Sequence, residues 1–297
     1  MATAAIIGMG LIGGSLGLAL SGGGGWSVVG YSQRRESAEA ALGRGAIDRV
    51  ETDLGEAVRG ADMVILATPI MAMKGVMRQM APHLRPGAVV TDTASTKARV
   101  LEWAGECLPA SVSFVGGHPM AGKESWGIEA AEAALFQGAV YCLVPASGTE
   151  PEAVERVVGL VDRVGARPLF LEAGEHDRLV AGISHLPLLV SAALVAATTG
   201  SPSWPQMAGL AATGYRDVTR LASGRPEMSR DICLSNREAV LAWLGKFIEE
   251  LHGFEHLLGE GYGDGDGGGE GELKEAFSRV REAREGWLRE RDGEGRG

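Results

Sequence analysis

The stretch Ile6-Ile7-Gly8-Met9-Gly10-Leu11-Ile12-Gly13 places a Gly-x-Gly-x-x-Gly motif between a short apolar run and a helical segment beginning near Ser15. A strand, glycine loop and helix in this order are typical of dinucleotide-binding folds. The first glycine permits a tight turn, the second lets the backbone approach a pyrophosphate, and the third lets the helix pack closely on the strand. The stretch therefore predicts cofactor contacts at Gly8, Gly10, Leu11, Ile12 and Gly13.

Short runs of apolar and β-branched residues continue this pattern along the chain. They lie at 4–7, 27–31, 63–66, 88–91, 113–115, 140–144 and 168–171, and helical stretches such as 35–43, 71–81 and 151–164 separate them. Several runs are apolar throughout, as are strands buried on both faces of a parallel sheet. The alternation predicts an α/β, Rossmann-like dinucleotide-binding domain over 1–172, with a parallel, doubly wound sheet.

Beyond Glu172 the strand pattern stops. Three helices are expected, because glycine and proline supply stop signals between them. They span 176–199, 203–223 and 228–258. Together they predict an all-α domain over 173–258. The remainder, 259–297, is expected to be a glycine-rich acidic linker followed by a charged tail that could be helical over 273–291.

Composition limits the classes of partner. The 297 residues include 28 basic and 38 acidic side chains, and the net charge of −10 argues against nucleic acid. The three cysteines are far apart and lack a metal-binding spacing, so we expect a reducing compartment and no metal site. The N-terminus lacks a signal-peptide pattern, which favours the cytoplasm. Ser184, His185 and Pro187 interrupt the apolar stretch 179–199, which favours a buried helix over a membrane span.

The end of the second predicted strand bears on the choice between NAD and NADP. An acidic residue there would hold the adenosine ribose hydroxyls, but the sequence has Ser32, Arg34 and Arg35 instead. A hydroxyl and two guanidinium groups suit a 2′-phosphate, so NADP is predicted to be preferred over NAD. The alternative is that Ser32 caps the next helix and the two arginines are solvated.

Two histidines stand out by their context. His118 lies in a glycine-rich loop near the end of a predicted strand, where open α/β sheets bind their ligands, and is a candidate acid/base. His185 lies in Ser184-His185-Leu186-Pro187; each histidine, taken alone, could also be structural. His176 and Asp177 are interpreted as capping or surface residues. The pair His252 and His256 has helical metal-pair spacing but is interpreted as exposed.

An ordered set of motifs then resembles one family, the prephenate and arogenate dehydrogenases of tyrosine biosynthesis. The resemblance covers about 1–258. Its elements are the glycine loop through Ser15, Ala67-Thr68-Pro69, Thr91-Asp92-Thr93-Ala94-Ser95-Thr96-Lys97, Gly117-His118-Pro119-Met120-Ala121-Gly122, Ser184-His185-Leu186-Pro187 and Gly214-Tyr215-Arg216-Asp217-Val218-Thr219-Arg220. The serine and arginine at 32 and 34 resemble the branch of the family that uses NADP.

The resemblance implies oxidation of a cyclohexadienyl ring hydroxyl with hydride transfer to the nicotinamide, while the ring carboxylate leaves as carbon dioxide. The substrate would be prephenate or arogenate, and the enzyme a homodimer through its helical region. His118 would accept the hydroxyl proton, and Ser95 would hold that hydroxyl or the histidine. The resemblance also implies substrate contacts from His185, Arg220 and Asp217, and cofactor contacts from Thr68 and Pro69.

Two other functions are compatible with the glycine loop. One is a different two-domain NADP-dependent oxidoreductase, of the β-hydroxyacid or pyrroline-carboxylate reductase type, in which catalysis would centre on a lysine of the helical domain. Residues 176–258 contain only Lys246, late in an amphipathic helix, which counts against it. The other is a non-catalytic nucleotide sensor, against which the paired histidines and Arg220 argue.

Overall fold

A single sheet organises the first part of the chain. A computed structural model describes residues 1–22, 24–123, 125–260 and 268–294. Within these residues the strands are β1 Ala2–Ile7, β2 Trp26–Tyr31, β3 Arg49–Glu51, β4 Met63–Leu66, β5 Val89–Asp92, β6 Ser113–Pro119, β7 Val140–Pro145 and β8 Arg167–Phe170. Their order in the sheet is β3-β2-β1-β4-β5-β6-β7-β8. Each strand predicted from the sequence is confirmed, and β3 is an additional strand whose three residues carry no clear periodicity.

Helices cover the sheet and make up the rest of the described chain. They are α1 Leu11–Ser21, α2 Arg35–Gly43, α3 Leu54–Val58, α4 Met73–Met80, α5 Ala98–Cys107, α6 Pro151–Arg163, α7 Ala173–Val180, α8 Leu186–Thr199, α9 Trp204–Leu210, α10 Thr213–Thr219, α11 Pro226–Ser235, α12 Arg237–Glu260 and α13 Gly268–Glu294. A π-helical turn, Ala181–His185, joins α7 to α8. A 3-10 turn, Arg220–Ser223, follows α10.

The sheet is doubly wound, but it is not parallel throughout, which corrects the sequence prediction. Strands β1 to β6 pair with one another in the parallel sense. Strand β7 pairs with β6 in the antiparallel sense. Between Pro119 and Val140 the chain has no α-helix that could carry it back across the sheet, and all of that segment except residue 124 is described. An antiparallel neighbour needs no such crossover. Strand β8 follows through α6 and is parallel to β7.

The central strands are buried on both faces. Ala4 and Ile6 contribute to one apolar cluster and Ala5 and Ile7 to the other, since successive side chains of a strand point to opposite faces. This explains why the strand runs are apolar throughout rather than alternating.

The strand order fixes where a ligand can bind. The order reverses between β1 and β4, and in open α/β sheets the ligand crevice lies at such a switch point, beyond the carboxyl ends of the strands. The glycine loop follows β1, Thr68 follows β4, Ser95 follows β5 and His118 lies near the end of β6. The fold therefore brings the predicted site segments to one edge.

The predicted helices beyond residue 172 are present but interrupted. The helix predicted over 176–199 begins earlier, at Ala173, and contains the π-helical turn. The other two are each divided, at 211–212 and at Asn236. Helices α12 and α13 extend to Glu260 and from Gly268, so the predicted linker is helical at both ends. Its centre, 261–267, lies outside the described residues.

Helix α8 is only partly buried, which corrects the expectation of a buried helix. It is described over its whole length, and it buries only Ser191. The helical stretch Ala173–Thr199 is long and apolar enough to cross a membrane by length and composition alone. An 18-residue window within it has a mean hydropathy of 2.0, and 22% of that window is buried. Just before α8, Ile183 is 72% exposed. An exposed apolar surface of this kind is typical of a site that binds another macromolecule.

By its internal contacts the chain divides into two compact units, Met1–Val240 and Leu241–Gly297. The first contains the sheet and the helices through α11. In the second, Phe254 and Phe277 bring α12 and α13 together, with ring centroids 5.3 Å apart. All residues discussed below as site residues belong to the first unit.

Candidate active site

The glycine loop after β1 is shaped by close backbone approaches. Gly8 has φ +112, a conformation that favours glycine, and its N–H donates to the Tyr31 carbonyl oxygen over 2.8 Å. A Cβ on Gly13 would overlap the Gly8 carbonyl oxygen, so this glycine is needed for packing α1 on the loop. A Cβ on Gly10 would meet nothing within 4 Å. The loop is therefore closely packed at Gly8 and Gly13, whereas the space beside Gly10 is open.

The open space beside Gly10 can accommodate part of a dinucleotide. Helix α1 begins at Leu11, and among the described residues no side chain caps its first turn, so its N–H groups can bind an anion. The hydroxyl of Thr68 is buried beside the loop and has no hydrogen-bond partner in the described part of the chain. A pyrophosphate requires hydrogen-bond donors and room for its oxygens. The N–H groups at the start of α1, the Thr68 hydroxyl and the space beside Gly10 supply both. Ile12 lies in the first turn of α1, and Pro69 lies in the loop after β4.

The two arginines after β2 differ in their surroundings. Arg35 is 2.6 Å from Glu39 in an exposed ion pair. Arg34 lines a cleft with Trp126 and Arg225. Ser32 does not cap the next helix, because Arg34 occupies the N-cap position of α2. The capping alternative considered for Ser32 is therefore wrong.

His118 belongs to a buried chain of three side chains, which we call the His-His-Asp triad. His118 Nδ1 is 2.9 Å from His176 Nε2, and His176 Nδ1 is 2.8 Å from an Asp177 carboxylate oxygen. His176 and Asp177 come from α7, whereas His118 comes from β6. Their burial corrects the interpretation of His176 and Asp177 as surface residues, since they are 0% and 5% exposed.

Asp177 also holds the start of a neighbouring helix. Its carboxylate oxygens accept the backbone N–H groups of Lys97 at 2.7 Å and Ala98 at 3.0 Å. These are N–H groups at the start of α5, so Asp177 satisfies donors that have no partner within that helix. The residue caps a helix, as a carboxylate can, but the helix is α5 rather than its own.

The hydrogen bonds of the triad assign its tautomers. A carboxylate can only accept, so His176 donates from Nδ1 to Asp177 and keeps a lone pair on Nε2. His118 must then donate from Nδ1 to His176. The lone pair of neutral His118 is left on Nε2, where it can accept a proton. The geometry thus orients His118 as a base.

A buried ion pair supports the backbone on the other side of His118. Lys97 Nζ donates to Asp92 and also to the carbonyl oxygen of Gly117, over 2.6 Å for the latter. The other Asp92 oxygen accepts the Gly117 N–H at 3.0 Å. Both side chains are fully buried, so the pair fixes the residue that precedes His118.

Burial keeps His118 and His185 neutral. It lowers the pKa of His118 well below 6.5, and the neighbouring His176, Lys97 and His185 lower it further. Burial also lowers the pKa of His185 to about 4, and the Asp177 charge and the Ser95 backbone oppose that shift only in part. At neutral pH both rings are therefore unprotonated.

The structure brings His185 to the same cluster. It ends the π-helical turn and is fully buried. Asn236 Nδ2 is 3.3 Å from its Nδ1 and donates to the Asp177 carbonyl oxygen at 2.7 Å. The Ser95 backbone interacts with the His185 ring, while the Ser95 side chain remains half-buried.

Arg220 and Asp217 are exposed on α10 and the 3-10 turn after it. Asp217 is 3.5 Å from Arg216 in an exposed ion pair. The turn that Arg220 begins is tied to α8, because the Ala222 N–H donates to the Ser191 hydroxyl at 2.9 Å. The structure therefore places Arg220 on an exposed turn beside α8.

Four residues of the cluster were not predicted as site residues from the sequence: His176, Asp177, Lys97 and Asn236. The adjacent His-Asp pair was visible at the start of a helix, but nothing in one sequence shows which element that helix packs against. Lys97 carried a stronger signal, because a charged residue five positions after Asp92 at a strand end suggests a pair. The exposed interpretation of His252 is confirmed, since its side chain is 70% exposed. Across the described residues, no cluster of three or more His, Cys, Asp or Glu could hold a metal ion.

Comparison with known proteins gives two family matches. The family described as "Prephenate dehydrogenase, nucleotide-binding domain" matches residues 16–169. The family described as "Prephenate dehydrogenase, dimerization domain" matches residues 172–276. Together the two matches cover most of the chain and meet where the sheet ends and the helices begin.

Individual relatives agree with these matches. A prephenate dehydrogenase of Bacillus subtilis is 37% identical over 252 residues, which are 84% of this chain and 68% of the relative. A Synechocystis arogenate dehydrogenase structure is 31% identical, covers 97% of this chain and 100% of its own, and has a TM-score of 0.80. An Aquifex aeolicus prephenate dehydrogenase, solved with hydroxyphenyl propionate and NAD+, is 29% identical with a TM-score of 0.87 and covers 96% of this chain and 97% of its own.

Two glycines of the loop provide a matched pair of variants. Gly13→Ala should lower the free energy of unfolding by about 1–3 kcal/mol, because its Cβ must displace backbone. Gly10→Ala should stay within about 1 kcal/mol of the parent protein, because its Cβ meets open space. It should nevertheless weaken dinucleotide binding by about tenfold or more, because that space faces the phosphates. Urea unfolding and titration with NADPH measure both effects. Undiminished NADPH affinity in Gly10→Ala would contradict the assignment.

Stability should depend on pH through the buried histidines. The unfolded chain binds more protons than the folded one between the folded pKa of His185, about 4, and the ordinary value of 6.5. The free energy of unfolding should therefore fall as pH is lowered through this window. His185 alone should account for about 2 kcal/mol between pH 7 and pH 5. Urea unfolding at several pH values measures the slope.

The variant His185→Gln should lose that part of the slope, and the exposed control His252→Gln should retain it. Because the slope is compared rather than the absolute stability, any packing cost of the substitution cancels. An unchanged slope in His185→Gln would show that His185 is not a buried neutral histidine.

Proposed function

The chain belongs to the prephenate dehydrogenase family, and we propose from this starting point that it catalyses the oxidative decarboxylation of prephenate, arogenate or both in tyrosine biosynthesis. The products would be 4-hydroxyphenylpyruvate and tyrosine, respectively. The His-His-Asp triad is the observation that carries the mechanism, because it presents a buried, neutral base at the carboxyl edge of the sheet.

The residues of the chain divide the work of this reaction. A nicotinamide dinucleotide held by the glycine loop, Thr68 and Pro69 would supply the hydride acceptor for the carbinol carbon of the substrate. His118 Nε2 accepts the hydroxyl proton, and the positive charge that forms on His118 is stabilised through His176 by the Asp177 carboxylate. The ring carboxylate leaves as carbon dioxide, and the electron pair of the broken carbon–carbon bond stays in the ring and makes it aromatic. A general base positioned in this way contributes about 10²–10⁴-fold to rate.

We propose that the substrate contacts come from both halves of the first compact unit. Ser95 follows β5 and would hold the reacting hydroxyl or the His118 ring. His185 would line the substrate pocket from the helical side. Arg220 would bind a substrate carboxylate through its planar guanidinium, with Asp217 orienting Arg216 and the surrounding turn. The proposed domains are 1–172 for the dinucleotide and 173–258 for substrate and dimer contacts.

Within the family we propose NADP as the preferred dinucleotide and NAD as the weaker alternative. Two observations support this preference: the absence of an acid at 31–35, and the position of Arg34 in a cleft with a second arginine. The glycine loop, Thr68 and Pro69 would hold the remainder of the cofactor. We also propose that the enzyme acts in the cytoplasm.

The rival β-hydroxyacid or pyrroline-carboxylate reductase type of function is disfavoured. It would need a catalytic lysine in the helical part, and Lys246 of α12 instead lies with its ammonium 4.6 Å from the Trp243 ring centroid. Lys246 also belongs to the second compact unit. The family matches favour the dehydrogenase.

Replacement of His118 tests the mechanism. His118→Asn should lower kcat by about 10²–10⁴-fold with either substrate, because no base then faces the hydroxyl. The affinity for NADPH should stay nearly unchanged, since the ring does not belong to the glycine loop. Initial rates and fluorescence titration measure the two quantities. His252→Asn, at an exposed position, serves as the control and should keep full activity. An unchanged kcat in His118→Asn would remove it from the mechanism.

We propose that a second copy of the chain covers the apolar surface around α8. The homodimer should have twice the 31.0 kDa mass of one chain. A charge at exposed Ala193 of α8 should weaken it, so Ala193→Glu should dissociate at protein concentrations where Ala110→Glu, at an exposed position after α5, does not. Light scattering across a dilution series measures both. A parent protein that remains at the monomer mass at micromolar concentration would refute the proposal.

A further inference from the structure

A cleft of about 370 Å³ lies outside the histidine cluster. One wall is Arg34, which follows β2, and another is Trp126, from the segment after β6. The turn at 223–226, which leads into α11, closes the cleft with Arg225, and Glu227 lies beside it. Two guanidinium groups and an indole therefore line one space, and neither Arg225 nor Trp126 has yet been assigned a ligand contact of its own.

The cleft lies where the adenosine half of a dinucleotide would reach. In dinucleotide-binding folds the group at the end of the second strand meets the adenosine ribose. The Gly8 N–H donates to the Tyr31 carbonyl oxygen at 2.8 Å, which ties the glycine loop directly to the end of β2. Arg34 is three residues beyond Tyr31. A cofactor that lies along the glycine loop thus places its ribose next to the cleft.

The charges in the cleft favour a phosphate. Within the described residues Arg34 has no ion-pair partner, whereas the adjacent Arg35 pairs with Glu39. Arg225 Nε is 3.8 Å from a Glu227 carboxylate oxygen, a loose contact, and its guanidinium lies 5.7 Å from the Trp126 ring centroid. Among the described residues that line the cleft, two cations and one exposed carboxylate leave a net positive charge beside a flat aromatic surface.

Helix stability does not account for Arg225. It occupies the N-cap position of α11, where Ser, Thr, Asp or Asn would be favoured, and no side-chain cap is formed there. A cation at that end of the helix is repelled by the helix dipole. The arginine is therefore unfavourable for the helix, which is expected of a residue retained for a ligand.

From these observations we infer that Arg225 is a cofactor-specificity residue. Together with Arg34 it forms a two-guanidinium site for the 2′-phosphate of an adenosine nucleotide, and Trp126 provides a flat wall for the adenine or the stacked guanidinium. This inference rests on the proposed dehydrogenase function and its preference for NADP. It adds a residue from the helical part of the chain to a site otherwise built by the sheet.

Binding of nucleotide fragments tests the inference without turnover. Adenosine 2′,5′-bisphosphate carries the 2′-phosphate and AMP lacks it, and calorimetric titration of the purified full chain measures both dissociation constants. The parent protein should bind the bisphosphate more tightly. Arg225→Ala and Arg34→Ala should each weaken bisphosphate binding by about tenfold or more and change AMP binding by about twofold at most. Arg225→Lys should fall between them, because it keeps the charge but loses the planar fork.

Two matched controls separate the phosphate site from general surface charge. Arg35→Ala should bind both fragments like the parent, because Arg35 is engaged by Glu39. Glu227→Gln should tighten bisphosphate binding, because it removes the carboxylate that lines the cleft among the residues the structure describes. Thermal unfolding of each variant shows that it is folded before it is titrated.

Three results would overturn the inference. The first is a folded Arg225→Ala variant that binds the bisphosphate as tightly as the parent does. The second is a parent protein that binds AMP as tightly as the bisphosphate. The third is an Arg225→Ala variant that loses equal affinity for both fragments. Failure of the proposed function would look different, since the parent would then not turn over prephenate or arogenate with either dinucleotide while the fragment titrations still distinguished the variants.

Discussion

The carboxylate of Asp177 is the group on which the site depends. Its oxygens accept two backbone N–H groups at the start of α5 and the ring of His176. One side chain from the helical region thereby joins the helix that follows β5 to the base at the end of β6. Truncation of Asp177 would leave buried donors without an acceptor, which costs more than the net value of the hydrogen bonds it makes. The same carboxylate thus orients the base and docks α7 against the start of α5.

Burial makes this arrangement useful for proton transfer. Lys97, which is buried against Asp92, and the neighbouring histidines make a further positive charge on His118 unfavourable in the resting enzyme. The ring is therefore unprotonated and able to accept a proton, and the Asp177 carboxylate, which is linked to His118 through the His176 ring, stabilises the cation once it forms. The same burial excludes water and strengthens each of these interactions. A histidine on the surface would have neither the low pKa nor the fixed tautomer.

The sequence predicted the parts of the molecule that obey local rules. The glycine loop, seven strands and the helices α2 and α6 follow from periodicity and from the need for glycine at a close approach. The reversal of β7, the breaks near 211 and at Asn236 and the exposure of α8 depend on tertiary packing, which a local pattern does not contain. His118 was found because it lies in a glycine-rich segment at a strand end. Its partners, His176 and Asp177, were not, because their contacts join segments 58 or more residues apart.

The tautomer of His118 is the most direct test of this account. Nitrogen-15 NMR of histidine-labelled protein at pH 7 distinguishes protonated from unprotonated ring nitrogens, and the His118→Asn spectrum identifies the signals of His118. The account predicts a neutral ring with the proton on Nδ1 and a lone pair on Nε2, and a His176 ring protonated on Nδ1. A His118 ring that carries its proton on Nε2, or that is already charged at this pH, would contradict it.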